Sequence, residues 1–374
     1  MAEDYHNIAM LKGDLNGKTV SDAVLRVDEA ARHLMSRPIA WTPLPYGDVD
    51  YYQEHKITEL GEKELSELRK YNQIFLGAVG DPTRIAPGVM EVGTLLKIRQ
   101  EFDQYVNLRP VILPEGVPSI LEGKDHKDIN FVICRENSEG LYADAGWVEK
   151  KGTEDEAGYQ IMKCTYKGVK RLMEFAVETA KARKKQDKPM IHIVFKTNIL
   201  TYAAVPWKRV LKEYQERDDI TVRYMHIDNF MMQMVQDPKQ FDVVITENMF
   251  GDISTDLGAM LQGGIGTAVS GNINPTGKFP SMFEPIHGTA PDKWYEKDEK
   301  GEYIAGTFVP EKVQLIKPEA ALLAYAMMLE QMGELRASKA VENAVLANIR
   351  DPDYKVKKLD QLVEQVCGFV RRAA

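Results

Sequence analysis

The stretch Phe241 to Leu261, FDVVITENMFGDISTDLGAML, contains the unit from which the fold is predicted. It begins with an apolar, β-branched run typical of a buried strand, and apolar residues recur at helical spacing after Asn248. A strand that leads directly into a helix is the building block of α/β proteins. The helix carries Asp252 and Asp256 on one face, where like charges repel. Two explanations stay open: favourable negative charge near a helix N-terminus, or a cation bound between the two carboxylates.

The same strand-then-helix order recurs along the 374-residue chain. Apolar strand patterns occur in NIAML, NQIFLGAVG, INFVICREN and MIHIVFKTN, with amphipathic helical patterns between them. From PEAALLAYAMMLEQM onward the pattern is helical. This alternation predicts an α/β fold with a largely parallel sheet, and the length fits two domains or one large α/β unit. No GxGxxG follows the first strand, so the usual Rossmann fingerprint is missing from the sequence.

Composition excludes several classes of function. The net charge of −8 provides no overall basic field, so we expect neither nucleic-acid nor membrane binding. The first residues, MAEDYHNIAMLKGD, lack a basic region followed by an apolar one, so we expect no secretory signal. Cys134, Cys164 and Cys367 are scattered, without a CxxC pair. Free thiols of this kind predict a reducing, cytoplasmic location.

Polar residues follow three of the predicted strands at the point where each strand ends. Arg135 ends FVICR, Lys196 follows HIVF, and Asn248 and Asp252 come after VVIT. In open α/β sheets, ligands bind outside the carboxyl ends of the strands. The sequence therefore predicts a functional site at this edge of the sheet.

Three arginines predict a site for anions in this acidic protein. Arg109 stands in an apolar context before Pro110, and Arg99 and Arg135 lie on either side of it in sequence. Guanidinium groups bind carboxylates and phosphates through paired hydrogen bonds. Three separate structural ion pairs are the alternative interpretation.

Carboxylates and two further side chains predict metal-assisted acid-base chemistry. Asp228 can add a third oxygen ligand to Asp252 and Asp256, and an all-oxygen set indicates Mg²⁺ or Mn²⁺. Lys196 can act as a base beside a metal, and Tyr142 can donate a proton to a carbanion. Together these groups suit oxidation and decarboxylation of a hydroxy acid.

A longer stretch, ENMFGDISTDLGAMLQGGIGTAVSGNINPTGKFPSMFEPIHGTAPD, resembles the signature of the β-decarboxylating dehydrogenases, the family of isocitrate, isopropylmalate, tartrate and D-malate dehydrogenases. The resemblance runs from about residue 74 to 292 and resumes at KPEAALLAYAMML. It implies an isopropylmalate dehydrogenase-like two-domain α/β/α fold. It further implies a discontinuous cofactor-binding domain over residues 1–104 and 267–374, a substrate and dimerisation domain over 105–266, and a homodimer with shared active sites.

The resemblance also implies a role for each candidate residue. Arg99, Arg109 and Arg135 correspond to the arginines that grip the malate carboxylates, and Tyr142 to the general acid. The partner subunit supplies the equivalents of the lysine and of one metal ligand, here Lys196 and Asp228. The equivalents of Asp252 and Asp256 are metal ligands from the same subunit.

On the cofactor side, the resemblance implies that NAD binds to the FEPIHGTAPD segment. Glu284 corresponds to a residue near the nicotinamide, and Asp292 to the residue that NAD-using members employ to bond the ribose hydroxyls. A carboxylate there repels the 2′-phosphate of NADP. The dinucleotide-binding loop corresponds to His287, Gly288, Thr289 and Ala290. Lys317 stands at the position that contacts adenine.

Two departures from the family pattern fall near the cofactor segment. The usual GDGIGPE is here GDLNGKTV from Gly13 to Val20, and residues 294–315 form a charged insertion before Lys317-Pro318, which replaces Asn-Pro. We expect the insertion to fold over the adenine end of NAD, with Trp294, Tyr295 or Tyr303 stacking on the base.

Family members differ in the substituent of the malate core that they accept. The resemblance implies that the segment EVGTLLKIR, which ends at Arg99, determines which substituent is accepted. Isocitrate enzymes have Ser and Asn here to hold a carboxylate, whereas this chain has Gly93, Thr94 and Leu95. A charged substituent left without donors would be costly to bury. The motifs LLKIRQEFDQYVNLRPV, RENSEG and GNINP look closest to tartrate and D-malate dehydrogenases, so D-malate or tartrate is the expected substrate. The alternative is 3-isopropylmalate or another 3-alkylmalate, suggested by Leu95 and Leu96. A non-catalytic regulatory paralogue is a further alternative.

Overall fold

The computed structural model describes residues 5–143 and 145–373. The strands, in chain order over these residues, are β1 (His6–Leu11), β2 (Ile39–Pro43), β3 (Gln73–Leu76), β4 (Val106–Ile112), β5 (Asn130–Glu136), β6 (Gly146–Glu149), β7 (Ala157–Gln160), β8 (Met190–Phe195), β9 (Thr221–His226), β10 (Val243–Thr246), β11 (Val269–Ile273) and β12 (Ser281–Pro285).

The helices in the same residues are interspersed with these strands until residue 285 and then follow one another. They are α1 (Asn16–Ala31), α2 (Val49–His55), α3 (Glu62–Leu68), α4 (Lys97–Glu101), α5 (Tyr166–Arg183), α6 (Ala204–Gln215), α7 (Ile227–Gln236), α8 (Asn248–Leu261), α9 (Pro310–Val313), α10 (Glu319–Gln331), α11 (Leu335–Ile349) and α12 (Leu359–Arg372). None of the described helices is both long and apolar enough to cross a lipid bilayer.

The chain divides into two compact units. Unit 1 comprises Met1–Phe102 with Gly264–Ala374, and unit 2 comprises Asp103–Gly263. In unit 1 the strand order is β2-β1-β3-β12-β11, in which only the β11–β12 pair is antiparallel. Helices α1, α10, α11 and α12 share one core with β1, and α2, α3 and α4 share another.

The face that α1 buries follows from the spacing of its apolar residues. Val20, Val24, Val27 and Ala31 recur every three or four residues, and all four are fully buried in the core that they share with Tyr325 of α10. The helical pattern predicted between the strands NIAML and NQIFLGAVG is confirmed here. Its burial removes the whole apolar stripe from water, which is the main favourable term for packing a helix on a sheet.

Unit 2 has the strand order β4-β5-β10-β8-β9, in which only the β4–β5 pair is antiparallel. The apolar residues of β5 and β10, such as Phe131 and Val244, are fully buried against Phe230 and Met234 of α7. A separate antiparallel hairpin pairs β6 with β7 and stacks the exposed Trp147 on Tyr159, with ring centroids 4.8 Å apart. The prediction of an α/β fold with a largely parallel sheet is confirmed.

Candidate active site

Strands β5, β10 and β8 of unit 2 end level with one another. In the parallel pairing, Thr246 at the end of β10 lies opposite Arg135 of β5 and opposite Val194 of β8. Glu247 then caps the start of α8, because its carboxylate accepts hydrogen bonds from the backbone N–H groups of Met249 (3.0 Å) and Phe250 (2.6 Å). The first turn of α8 therefore begins beside the end of β5.

Arg135, Asn248, Asp252 and Tyr142 form one hydrogen-bonded group in unit 2. The buried Arg135 donates from Nε to Oδ1 of Asn248 over 2.9 Å, and from Nη1 to Oδ1 of Asp252. The Tyr142 hydroxyl donates to Oδ2 of Asp252 over 2.9 Å, and the Arg135 guanidinium lies 5.3 Å from the centroid of the Tyr142 ring. The structure thus brings together a predicted substrate arginine, a predicted proton donor and a predicted metal ligand.

Arg135 reaches Asp252 by crossing α8 at Gly251. A Cβ placed on Gly251 would lie 2.5 Å from Cγ of Arg135, closer than real Cβ atoms approach a neighbour. Only a residue without a side chain leaves room for the arginine stem at this point of the helix.

Opposing effects act on the carboxyl group of Asp252. Burial raises its pKa, but the charge of Arg135, the hydrogen bond from Tyr142 and the charge of Arg109 together lower it below its ordinary value. Arg109 lies on β4, is buried, and donates from Nε to Oδ1 of Asn107 over 2.8 Å. Asp252 is therefore ionised at neutral pH, as a ligand for a hard cation must be.

Asp252 and Asp256 fit part of a site for Mg²⁺ or Mn²⁺. They lie one turn apart on α8, Asp252 half-buried and Asp256 exposed, and both offer oxygen donors. In the described part of the chain no three Asp, Glu, His or Cys side chains cluster in a way that could hold a metal ion. Within the described residues, Asp228 does not join Asp252 and Asp256 in such a group.

Lys196 and Asp228 form a second pair in unit 2. Lys196, directly after β8, lies 2.8 Å from Oδ1 of Asp228 in the first turn of α7. The hydrogen bond from Lys196 lowers the pKa of Asp228. The predicted base and the predicted third metal ligand are thus neighbours.

In unit 1, Arg99 is paired with the carboxylate predicted to lie near the nicotinamide. Arg99 donates from Nη2 to Oε1 of Glu284 over 2.8 Å, and Nδ2 of Asn272 donates to the same oxygen over 2.9 Å. Both partners of the ion pair are buried. The Nε of Arg99 has no hydrogen-bond partner among the described protein atoms, so one guanidinium donor remains for another ligand.

The segment that precedes Arg99 is a π-helical turn, Glu91–Leu96, a geometry that often occurs at functional sites. Thr94 is fully buried; its hydroxyl lies 2.7 Å from the hydroxyl of Tyr52 and donates to the carbonyl of Tyr46 over 3.4 Å. Leu95 and Leu96 are partly exposed. Thr94 is therefore followed by two partly exposed apolar side chains, and the charged Glu91 is exposed at the start of the turn.

The predicted dinucleotide-binding loop lines a cavity of about 280 Å³ in unit 1. Gly288, Thr289 and Ala290 form one part of its lining, and Gly80 and Asp81 form another. A Cβ on Gly288 would meet no atom within 4 Å, so the loop leaves open space where a ligand can approach its backbone.

His287 and Asp292 flank that loop. Burial lowers the pKa of His287, its Nδ1 lies 3.0 Å from the carbonyl of Gly288, and its buried Nε2 has no hydrogen-bond partner among the described protein atoms. Asp292 is exposed beside Lys293, 3.5 Å away. A neutral imidazole and an exposed carboxylate fit recognition of a dinucleotide.

Lys317 contacts the loop that precedes α12. Its Nζ donates to the carbonyls of Tyr354 and Lys357, each over 2.9 Å, and burial lowers its pKa. Because the ammonium already has these acceptors, its charge stabilises the loop of the free protein.

Asn248, which the sequence placed at the predicted edge of the sheet without a role, links two segments of the site. Its Oδ1 accepts from Arg135, and its Nδ2 donates to the carbonyl of Glu139 over 3.0 Å, in the loop that leads to Tyr142. The sequence feature that could have indicated a role is its position, since Asn248 is the first amide side chain after a buried strand. Sequence spacing alone cannot reveal that both ends of one amide are used.

Comparison with known proteins places the chain among dehydrogenases. A family profile described as Isocitrate/isopropylmalate dehydrogenase matches residues 7–366. The 3-isopropylmalate dehydrogenase of Clavibacter sepedonicus is 42% identical over 344 residues, 91% of this chain and 90% of that protein. That of Bifidobacterium longum strain DJO10A is 38% identical over 367 residues, 98% and 99% of the two chains. The crystal structure of isocitrate dehydrogenase from Methylococcus capsulatus superposes with a TM-score of 0.81 at 30% identity, over 98% of this chain and 100% of that one.

The prediction of D-malate or tartrate as substrate is contradicted by these relatives. Proteins 38–42% identical over most of the chain are named 3-isopropylmalate dehydrogenase, which matches the alternative. The motifs around Arg109 and Arg135, which favoured D-malate or tartrate, are therefore not diagnostic of the substrate, and the relatives agree with the alternative that Leu95 and Leu96 suggested.

Proposed function

Because the chain belongs to the isocitrate/isopropylmalate dehydrogenase family, we propose that it is a decarboxylating dehydrogenase that oxidises 3-isopropylmalate with NAD in the presence of Mg²⁺ or Mn²⁺. The structural observation that carries this proposal is the π-helical turn before Arg99. Its one hydroxyl, on Thr94, is occupied by Tyr52 and Tyr46, whereas Leu95 and Leu96 remain partly exposed.

That turn discriminates between substituents of a malate core by polarity. An isopropyl group placed against Leu95 and Leu96 loses only contact with water, which is favourable. A carboxylate in the same place would be buried without donors, and an unpaired buried charge is costly. The preference for a branched apolar substituent therefore follows from the side chains of one turn.

The anion-binding residues orient the shared core of the substrate. Arg109 and Arg135 are buried guanidinium groups of unit 2, and Arg99 of unit 1 retains an unpartnered Nε. Guanidinium groups bind carboxylates in a fixed geometry, so they position the carbon that carries the hydroxyl and the carboxylate that will leave. We assign substrate recognition to these three arginines.

Two side chains of this protein move protons in the proposed reaction. Lys196 accepts the hydroxyl proton as the alcohol carbon is oxidised, and the carbon–carbon bond to the leaving carboxylate then breaks to release CO₂. Tyr142, held 2.9 Å from Asp252, donates a proton to the carbon that has lost CO₂. When bound to Asp252 and Asp256, Mg²⁺ or Mn²⁺ supplies a Lewis acid for the substrate oxygens, and NAD supplies the hydride acceptor.

Asp292 supports NAD over NADP. It is exposed beside the loop Gly288–Ala290, where a carboxylate can accept hydrogen bonds from ribose hydroxyls and repels a 2′-phosphate. Glu284, His287, Thr289 and Lys317 complete the proposed cofactor contacts, the last through the loop that its ammonium stabilises.

We further propose that the active protein is a homodimer with shared sites. Among the described residues Asp228, which is paired with Lys196, forms no three-carboxylate group with Asp252 and Asp256, and this supports a site that a second copy completes. Helices α7 and α8 expose apolar side chains, among them Met232, Val235, Ile253 and Met260, which is unfavourable unless another surface covers them.

Turnover on a panel of malates tests the proposed substrate. With NAD and Mn²⁺, we expect kcat/KM for 3-isopropylmalate to exceed that for isocitrate by at least about 10²-fold. Leu96→Ala should lower kcat/KM for 3-isopropylmalate by roughly 10-fold or more, and Leu335→Ala, at an exposed leucine of α11, is the matched control. Equal activity on isocitrate, or no turnover of any malate, would refute the substrate assignment.

A mixing experiment tests the shared sites. Lys196→Ala and Tyr142→Phe should each be inactive alone. In a mixed dimer, one of the two sites would combine an intact Tyr142 with an intact Lys196, so refolding the variants together should restore about a quarter of wild-type activity. No recovery in dimers shown to be mixed would mean that each chain has a complete site of its own.

A further inference from the structure

The insertion predicted as a lid is a closed, internally bonded hairpin over residues 294–309. The backbone N–H of Val309 donates to the carbonyl of Trp294 over 3.2 Å, and that of Ile304 donates to Glu296 over 2.9 Å. At the tip, Gly301 donates to the carbonyl of Asp298 over 3.0 Å. The two ends of the insertion therefore meet, and its tip is bonded to itself rather than to the cavity.

Trp294, at the base of the hairpin, is attached to the start of α1. Its indole Nε1 donates to Oδ1 of Asn16 over 2.9 Å, and its ring packs against Phe308 with centroids 5.5 Å apart. The backbone N–H of Asn16 in turn lies 3.4 Å from the carbonyl of Thr289, which lines the cavity. Trp294 thus connects the altered N-terminal loop with the predicted dinucleotide-binding loop.

The next residue, Tyr295, is attached to a different part of the cavity lining. Its hydroxyl donates to Oδ2 of the buried Asp81 over 2.7 Å. The other oxygen of Asp81 accepts from the backbone N–H (3.0 Å) and the hydroxyl (2.7 Å) of Thr83. Two consecutive aromatic residues therefore hold two segments that line one cavity.

Two segments next to Trp294, the loop before α1 and the predicted dinucleotide-binding loop, each contain a residue in a backbone conformation that side chains disfavour. Leu15 has φ 48° and Ala290 has φ 46°, in the left-handed region usually occupied by glycine. Strained residues of this kind persist only where surrounding contacts hold them. The contacts made by Trp294 lie directly beside both of them.

We propose that Trp294 and Tyr295, here called the aromatic brace, are positioning residues that hold the lining of this cavity in its binding conformation before the dinucleotide arrives. The inference rests on the proposed NAD-linked function for the identity of the ligand. A lining that is already ordered loses less conformational entropy on binding, which raises affinity without a direct contact. The brace uses side chains that are already bonded within the protein, so neither ring is assigned to stack on adenine.

The brace is tested by removing one donor at a time while an aromatic ring stays at each position. Trp294→Phe and Tyr295→Phe should each accelerate amide hydrogen exchange in segments 80–85 and 287–291 of the free, full-length protein. Each should raise the calorimetric Kd for NAD by about 3- to 10-fold, the effect of losing one neutral hydrogen bond. At saturating NAD, kcat should stay within about twofold of wild type, because the altered residues act on binding. Glu299→Ala, on the exposed tip, is the control.

A second variant separates a brace from a lid. Replacing residues 298–302 by Asn-Gly removes the tip and keeps Trp294 and Tyr295, so the Kd for NAD should not change. A weaker Kd in that variant, or wild-type exchange rates in both phenylalanine variants, would overturn the brace. Failure of the wild-type protein to bind NAD would instead overturn the proposed function, and the exchange rates of the free protein would still decide whether the brace exists.

Discussion

Gly251→Ala tests whether the placement of Arg135 across α8 matters for turnover. A Cβ at residue 251 would lie 2.5, 2.7 and 2.9 Å from Cγ, Cβ and Cδ of Arg135. Comfortable carbon–carbon contacts begin at about 3.5 Å, so the arginine stem must move by roughly 1 Å. The atoms in conflict belong to the stem rather than to the mobile end, so the guanidinium moves with them.

The displacement should reduce activity much more than stability. A misplacement of about 1 Å in a substrate-binding group can cost on the order of 10²-fold in rate, and we expect a loss of that size in kcat/KM. Overpacking costs about 1–3 kcal/mol, and the better helix propensity of alanine offsets up to about 1 kcal/mol of it. The variant should therefore fold, with a melting temperature lowered by a few degrees.

Steady-state kinetics and thermal unfolding of the same preparations provide the assay. Gly266→Ala is the matched control, because a Cβ there meets no atom within 4 Å. A double-mutant cycle with Arg135→Lys tests whether the loss in kcat/KM acts through the guanidinium. In the Arg135→Lys background, Gly251→Ala should lower kcat/KM only slightly further. A kcat/KM within threefold of wild type, at an unchanged melting temperature, would refute the assigned role of Gly251.

Three further predictions concern the base, the metal and the interior. Lys196→Ala and Tyr142→Phe should each lower kcat by roughly 10²–10⁴-fold with the fold retained, as for removal of a positioned acid or base, and near-normal turnover would remove that residue from the mechanism. Chelation by EDTA should abolish turnover, and Mn²⁺ should restore it. The Asp256→Asn variant should need a higher metal concentration, because one anionic ligand becomes neutral. Full activity in chelator would mean that Asp252 and Asp256 bind no metal and only place negative charge near the start of the helix. Burial in β8 lowers the pKa of His192 to about 4. The unfolded chain then binds more protons below pH 6.5, so this residue should cost about 2 kcal/mol of stability between pH 7 and pH 5, and urea unfolding should show that difference from His192→Leu.

Sequence alone was sufficient for the fold class and for the group of side chains at the carboxyl edge of β5, β8 and β10. The reason is that strand and helix periodicities are local, and the residue that ends a buried strand can be read without knowing its neighbours. The same locality explains the success of the family assignment, since the signature from Glu247 to Asp292 is one continuous segment. Substrate choice was harder, because the motifs around Arg109 and Arg135 did not separate the members of the family, and the relatives contradicted the substrate that those motifs favoured.

Tertiary structure decided which of these residues meet. Arg135 and Asp252 are separated by 117 positions and Tyr142 and Asp252 by 110, and their hydrogen bonds depend on the register of β5 against β10. Trp294 was visible in the sequence as an aromatic residue in a charged insertion, but its partner Asn16 is 278 positions away. Contacts of this range are determined by packing of whole elements, in which each side chain takes the partner that the fold provides, and no spacing rule in the sequence encodes that partner.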